Sequence, residues 1–182
     1  MRDLLDRNGW LSDNIINSFM DILQERSPND TFLGPHFLNL WIHRDKNEYK
    51  PQTELKNGTI FIPVNMENTH WSLVTIRFPQ KRVLYYDSCA AENGKRGNRV
   101  RWHVMDWLGW QYKHQWGLAF NRKEWTSVDV TDIPTQTNGD DCGVFTLAYT
   151  MYVARDIGFD FTSSDMPKLR DTIAHLLLFG FA

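Results

Sequence analysis

Apolar residues along this chain of 182 residues follow two spacings, one typical of helices and the other of strands. Helical spacing, with capping or breaking residues at the ends, predicts helices from Ser12 or Asp13 to about Arg26, over 37–42, 99–111 and 142–155, and from Asp165 onward. Buried or alternating apolar runs predict strands over 59–64, 70–78, 83–87 and 124–130. The polar segment from Asp45 to Asn57 is expected to be a loop. Helices that flank a central run of strands indicate the α+β class.

A thiol stands at the start of one predicted helix. The octapeptide Gln136-Thr-Asn-Gly-Asp-Asp-Cys142-Gly143 contains a cysteine that should open the helix over 142–155. Unpaired N–H groups and the dipole at a helix N-terminus stabilise an anion, so a cysteine there tends towards the reactive thiolate. Asp140 and Asp141 oppose this tendency, because uncompensated negative charge beside a thiol favours its protonated form. The alternative is a small buried residue without chemistry, which we expect for Cys89.

The hairpin predicted over 70–87 supplies the two groups that such a thiol needs, a base and a residue that holds the base. His70 stands at the start of its first strand and Asp87 at the end of its second. Antiparallel neighbours joined by a short turn bring these two positions to one edge of the sheet, so the side chains can meet. A nucleophile, a base and a group that holds the base make a catalytic triad, whatever their order along the chain. Taken alone, the histidine also fits a structural role and the aspartate a turn acceptor.

Composition narrows the classes of function. The formal charge of -2 gives no electrostatic reason for nucleic-acid binding, and the basic run from Lys95 to Arg101 is short enough to be a solvated loop and helix start. Two cysteines without a hydrophobic leader indicate a reducing, intracellular compartment, and no apolar run is long enough to span a membrane. The six histidines form no metal-binding motif, so we expect neither a metal nor a cofactor. The length suits a single domain over residues 1–182.

Four motifs follow one another along the chain: Trp10-Leu-x-Asp13, His70-Trp71, Tyr86-Asp87-Ser88 and Gln136-x-Asn-Gly-x-Asp-Cys142-Gly143. In order and spacing they resemble the ubiquitin-like-protein proteases, the Ulp/SENP cysteine peptidases related to the adenovirus protease, over roughly residues 9 to 178. The resemblance implies the papain-like fold of the Ulp/SENP type, with a central mixed sheet flanked by helices and a triad in the order His, Asp, Cys.

The resemblance also implies roles for the residues of the site. Cys142 would attack the carbonyl carbon of a modifier's C-terminal glycine, His70 would act as base and then as acid, and Asp87 would orient the imidazole. Gln136 would supply a side-chain amide to the oxyanion hole, beside the backbone N–H of the nucleophile.

Three further side chains would meet the modifier. In the family, the positions of Trp10 and Trp71 cover a narrow tunnel that excludes any tail with side chains larger than those of Gly-Gly. Asp13 would touch the surface of the modifier. Without the resemblance, both tryptophans fit a core role, and Asp13 fits the N-cap of the first helix.

The activity implied is that of a cysteine protease, a hydrolase that cleaves after the C-terminal Gly-Gly of SUMO both in deconjugation and in precursor processing. Its partners would be SUMO or another ubiquitin-like protein and its conjugates. The enzyme is expected to be a monomer in the nucleus or cytoplasm, or in a host cell if it is a pathogen effector. The first-helix pattern and the pairs Asp160-Phe161 and Met166-Pro167 favour SUMO, whereas the segment 31–58 leaves the choice of modifier open.

Two other functions stay open. One is a protease of the same fold for ubiquitin or a NEDD-type modifier, or an acetyltransferase effector. The other is a pseudoenzyme that binds a modifier without cleaving it.

Overall fold

The structure is a computed structural model that describes residues 2–43, 58–89 and 93–180. These ranges hold the helices α1 (Arg2–Leu5), α2 (Asp13–Arg26), α3 (Phe37–His43), α4 (Asn93–Trp116), α5 (Cys142–Ala154) and α6 (Met166–Phe179). Their strands are β1 (Thr31–Phe32), β2 (Thr59–Met66), β3 (His70–Arg77), β4 (Arg82–Tyr86) and β5 (Thr126–Asp129). The loop predicted from Asp45 to Asn57 lies outside the described residues. No helix within the described ranges combines the length and the apolar character that crossing a membrane requires.

The five strands form one mixed sheet in the order β1-β2-β3-β4-β5. The three central strands are antiparallel neighbours, and each edge strand joins them in parallel. The hairpin of β3 and β4 pairs Leu73 with Tyr86 and Arg77 with Arg82, as its apolar runs predict. The α+β class and the central mixed sheet flanked by helices are therefore confirmed.

Side chains on the two faces of the sheet enter two separate apolar cores. One face packs Phe61, Leu73 and Leu84 against α2, α5 and α6. The other packs Ile60, Val74 and Val83 against α3 and α4. Because successive side chains of a strand point to opposite faces and every residue of β3 except Arg77 is buried, β3 is covered on both sides.

Helix α5 runs through the first of these cores. Every residue from Cys142 to Met151 is buried, so the helix is enclosed on all sides rather than on one stripe. A helix that crosses the core in this way holds its first residue in a position defined by packing on every side.

Helix α4 was predicted over 99–111, but it begins earlier, at Asn93. Helix α4 continues past the predicted end at Gln111 to Trp116, because the missing side chain of Gly109 makes room for the ring of Phe120 and this contact outweighs the poor helix propensity of glycine. Of the two residues predicted to cap α2, Ser12 occupies the N-cap, without a side-chain hydrogen bond, and Asp13 lies in the first turn.

The basic run from Lys95 to Arg101 is not wholly solvated either. Lys95 and Arg99 are exposed. Arg96 and Arg101, however, turn back onto the protein and pair with Asp87 and Asp129. The run is therefore partly structural, since two of its charges neutralise carboxylates at the ends of β4 and β5.

Candidate active site

Cys142 is the first residue of α5, as the octapeptide predicts, and its side chain is only 2% exposed. The adjoining Gly143 allows a close approach by the loop before α2, because a Cβ there would lie 2.9 Å from the Cβ of Leu11. The first N–H groups of a helix have no acceptor within the helix, so they face whatever lies before Cys142. The sulfur thus stands at the positive end of a buried helix.

His70 and Asp87 meet at the edge of the sheet beyond the last paired residues of the hairpin. The His70 Nε2 lies 2.7 Å from Asp87 Oδ1, and both side chains are buried. The Cys142 side chain also interacts electrostatically with His70 and raises the pKa of the imidazole. His70 therefore links the three side chains predicted to form a triad, by its hydrogen bond to Asp87 and its electrostatic interaction with Cys142.

Both oxygens of the Asp87 carboxylate accept hydrogen bonds. Besides His70, it accepts from the backbone N–H of Cys89 at 2.9 Å, from the Tyr85 hydroxyl at 2.9 Å and from Arg96 Nη1 at 3.2 Å. Burial raises the pKa of Asp87, but the hydrogen bond and charge of His70 and the other donors outweigh it and lower the pKa below 3.8. Asp87 is therefore an anion held in one orientation.

The electrostatics of this cluster favour a charged imidazole. Burial lowers the pKa of His70, but hydrogen bonds to Asp87 and Cys142 and their negative charges outweigh it, raising the pKa from 6.5 to about 9. Burial also raises the pKa of Tyr85, so its hydroxyl stays protonated and donates to Asp87. At neutral pH the arrangement can hold an imidazolium against the Asp87 carboxylate, beside the Cys142 side chain.

Gln136 is held beside the same edge by Ser88, the residue after Asp87. The Ser88 hydroxyl donates to Gln136 Oε1 at 2.6 Å, and the Gln136 backbone N–H donates to the Ser88 carbonyl at 3.0 Å. The Gln136 Nε2 donates one hydrogen to the Asn138 carbonyl at 2.7 Å. Since an amide nitrogen carries two hydrogens, a second one is left for another acceptor.

The two tryptophans of the predicted tunnel have different environments. Trp71 is 4% exposed, belongs to the core on the α5 side and donates its indole N–H to the Leu11 carbonyl at 3.0 Å. Trp10 is 46% exposed and donates to Asp140 Oδ1 at 3.1 Å. Trp10 therefore combines an accessible ring with an attachment to the turn that precedes Cys142.

Asp13, in the first turn of α2, contacts strand β2. It accepts a hydrogen bond from Asn65 Nδ2 at 3.1 Å, and His36 Nε2 lies 3.4 Å from its other oxygen. Asn65 is also the register partner of Trp71. Asp13 is thus linked to the strand pair that carries Trp71, although its contact with a modifier stays a prediction.

Cys89 lies beside the His70 and Asp87 pair, which the sequence pattern did not indicate. One ligating atom from each of His70, Asp87 and Cys89 lies within 4.8 Å of the others, which makes them the one group of potential metal ligands found in the part of the chain that the structure describes. The His70 Nε2 and Asp87 Oδ1 atoms are hydrogen-bonded to one another at 2.7 Å. A cation that both atoms coordinated would replace this hydrogen bond.

Comparison with known proteins identifies a single family for this chain. The family model described as "Ulp1 protease family, C-terminal catalytic domain" matches residues 9–178. The chain belongs to the Ulp1 protease family. The predicted resemblance to the Ulp/SENP peptidases is therefore confirmed.

Individual members of the Ulp1 family match the chain over most of its length. Sentrin-specific protease 2 of Homo sapiens is 31% identical over 172 residues, which cover 88% of this chain and 28% of the relative. The chain thus spans about a quarter to a third of that relative's length.

Solved structures of the family extend the match to the fold. The SUMO protease Ulp1 with its catalytic cysteine oxidised to a sulfonic acid superimposes with a TM-score of 0.80 at 27% identity, over 97% of this chain and 82% of the other. The C-terminal Ulp1 protease domain in complex with Smt3, the yeast orthologue of SUMO, gives a TM-score of 0.77 at 28% identity, over 98% and 82%. The Ulp/SENP type of papain-like fold is therefore confirmed.

Several contacts of this Ulp1-family site escaped the sequence pattern. Ser88 holds Gln136, Tyr85 and Arg96 hold Asp87, and Arg170 binds Asp141 beside the thiol. A signal for Arg170 was present, because it shares the buried face of α6 with Met166 and Ile173 at helical spacing. A charged residue on an apolar helix face implies a buried partner of opposite charge.

Proposed function

We propose that this chain is the catalytic domain of a SUMO-directed cysteine protease that cleaves after the C-terminal Gly-Gly of the modifier. It would act both on conjugates, as an isopeptidase, and on precursors. The observation that carries the proposal is the pairing of His70 with Asp87, together with its electrostatic interaction with Cys142 at the start of a buried helix, in a chain of the Ulp1 protease family. The similarity to a protease domain solved in complex with the yeast orthologue of SUMO supports SUMO as the modifier.

Cys142 is the proposed nucleophile. Its thiolate would attack the carbonyl carbon of the last glycine and form a tetrahedral oxyanion, which collapses to a thioester as the bond to the lysine amine breaks. The His70 imidazolium would give its proton to the leaving amine. The neutral imidazole would then take a proton from water, which attacks the thioester, releases the glycine carboxylate and restores the thiolate.

Gln136 and the backbone N–H of Cys142 are the proposed donors to the oxyanion. The hydrogen bonds of Gln136 with Ser88 and Asn138 fix the orientation of its amide before a substrate binds, which supports this role. A donor held in place costs no reorganisation in the transition state. Loss of one such donor typically lowers kcat by about 100- to 1,000-fold.

Trp10 and Trp71 are proposed to enclose the Gly-Gly tail. Trp71 is anchored in the core through Leu11, whereas Trp10 is exposed and bound to the turn before Cys142. Two flat rings on an extended backbone would leave no room for a larger side chain, so specificity would arise by exclusion.

Covalent capture by modifier probes tests the proposal. SUMO, ubiquitin and a NEDD-type modifier, each ending in an electrophile in place of the terminal carboxylate, are incubated with the wild-type chain and analysed by mass spectrometry. We expect rapid capture by the SUMO probe, none in Cys142→Ala, and retained capture in Cys89→Ser, which changes the other cysteine.

The outcomes of this experiment separate the alternatives. Preference for ubiquitin over SUMO by tenfold or more, about 1.4 kcal/mol, would reassign the modifier. Capture without turnover of a SUMO conjugate would indicate a pseudoenzyme, and wild-type protein that no probe labels would contradict the proposed protease.

A further inference from the structure

Asp141, the residue directly before Cys142, is a buried carboxylate at 4% exposure. Left alone in that place, its charge would oppose formation of the thiolate. Both of its oxygens are occupied. Arg170 donates to Oδ1 from Nη2 at 2.8 Å and from Nε at 3.2 Å, and Asn138 Nδ2 donates to Oδ2 at 2.8 Å.

The remaining donors of Arg170 reach the N-terminal segment. Nη1 donates to the carbonyl oxygens of Asp3 and Asp6, each at 3.1 Å, and Nη2 donates to the Gly9 carbonyl at 2.9 Å. Gly9 precedes Trp10, whose indole donates to Asp140. One buried guanidinium thus joins α6, the segment that carries Trp10 and the turn that carries the thiol.

We infer that Arg170 is a positioning residue for Cys142, which neutralises Asp141 and joins the segment bearing Trp10 to the turn before the thiol. The inference deepens the proposed function and rests on it only in taking Cys142 as the nucleophile. The hydrogen bonds of Arg170 reach Asp141 and backbone carbonyl oxygens, so it acts on Cys142 through Asp141.

The planar shape of the Arg170 guanidinium suits it to bind Asp141 and several backbone carbonyls at once. Arg170 is 2% exposed and donates in several directions from one plane, which a lysine ammonium cannot reproduce. The charged groups around the thiol are His70, Asp140, Asp141 and Arg170, with Asp87 behind the imidazole. Arg170 is the cation among them that does not exchange a proton during the reaction, because guanidinium stays charged throughout.

The test measures the reactivity of the Cys142 thiol in the whole chain. The rate of alkylation by iodoacetamide is followed against pH, with the Cys142 peptide quantified by mass spectrometry. We expect Arg170→Gln to move the midpoint of this rate upwards by about one pH unit, because Asp141 is left uncompensated. Asp141→Asn alone should move it downwards, and Arg170→Gln with Asp141→Asn should restore the wild-type midpoint.

Matched variants separate charge from folding. Lys168→Gln removes one positive charge from an exposed position on α6 and should leave the midpoint in place. Arg170→Lys keeps the positive charge but loses the planar guanidinium that donates in several directions. Its alkylation midpoint should therefore stay near that of the wild type. Its kcat/KM for a SUMO substrate should fall, because the shape of the site is lost.

Two results would overturn the inference. One is an Arg170→Gln protein that is less stable than the wild type but has the same alkylation midpoint, because Arg170 would then have a structural role only. The other, which needs no Arg170 variant to fold, is an unchanged midpoint in Asp141→Asn. Because alkylation requires no modifier, failure of the SUMO assay would not be confused with either result.

Discussion

At the scale of single residues, the hydrogen bonds of Asp87 fix the position and charge of the group that faces His70. Donors from β3, β4, α4 and the loop after β4 converge on its two oxygens. An aspartate held from so many directions presents a fixed anion to the imidazole of His70. It can therefore orient the ring and stabilise its charged form without being protonated itself.

This arrangement predicts how His70 titrates. Because the pKa of His70 is raised to about 9, the imidazolium persists below that pH and is lost as the pH rises through it. We expect kcat/KM to fall above pH 9, since the proton donor for the leaving amine disappears. NMR titration of the His70 ring should give a midpoint near 9 in the wild type.

Removal of the anion should reverse that shift. Asp87→Asn lowers the midpoint of His70 and should reduce kcat by about 10,000-fold, the loss known for an orienting aspartate in a serine protease triad. Asp171→Asn, which removes a charge from an exposed position on α6, is the control. An unaltered His70 midpoint in Asp87→Asn would show that Asp87 does not set the charge of the imidazole.

At the scale of elements, the start of α5 joins three parts of the chain. Gly143 packs against Leu11, the Leu11 carbonyl accepts from Trp71, and the Tyr149 hydroxyl donates to the Pro134 carbonyl. The helix therefore positions the loop before it and the tryptophan of β3 as well as the thiol. A glycine is required after the cysteine because the loop before α2 approaches the helix too closely for a side chain.

Two glycines in matched positions test this packing. Gly143 and Gly94 are each the second residue of a helix, but a Cβ on Gly94 would meet nothing within 4 Å. We expect Gly143→Ala to cost about 1 to 3 kcal/mol of unfolding free energy through overpacking and to reduce activity. Gly94→Ala should be neutral or stabilising by up to about 1 kcal/mol, because alanine favours helix.

Urea unfolding and turnover of a SUMO substrate measure both effects. Equal stability and activity of Gly143→Ala and Gly94→Ala would mean that the contact with Leu11 does not constrain α5.

At the scale of the whole molecule, the sheet is shared by two cores. Leu73 enters the core around α5 and Val74 the core around α4, although they are neighbours in β3. Loss of pairing in β3 would expose both cores together. We therefore propose that the chain unfolds as one cooperative domain.

The prediction at this scale is a single unfolding transition. Tryptophan fluorescence, far-UV circular dichroism and alkylation of Cys142 should report the same midpoint in urea. Leu73→Ala, at a cost of about 2 to 5 kcal/mol, should lower that midpoint for all three probes, and Val74→Ala should do so by a smaller amount. Transitions that separate between the probes would argue for two units instead of one domain.

Much of this molecule follows from local patterns. The strands of the hairpin, the start of α5 at Cys142 and the end of α2 at Arg26 agree with prediction, because periodicity and breaker residues act over a few positions. The end of α4 did not, since Phe120 lies beyond the helix and its contact with Gly109 forms only after the chain turns back. The short β1 was missed because two residues leave no periodic signal.

By its order of residues, the chain determines that a thiol opens a helix, that a histidine begins one strand and that an aspartate follows the adjacent strand. Those features depend on helix geometry and on antiparallel pairing, which act between neighbours in sequence. The partners of the charges depend on contacts between distant segments. Arg170 lies 29 residues from Asp141, and 161 from Gly9. Only the packing of α6 against the N-terminal segment brings them together, and that packing places a guanidinium on the carboxylate next to Cys142.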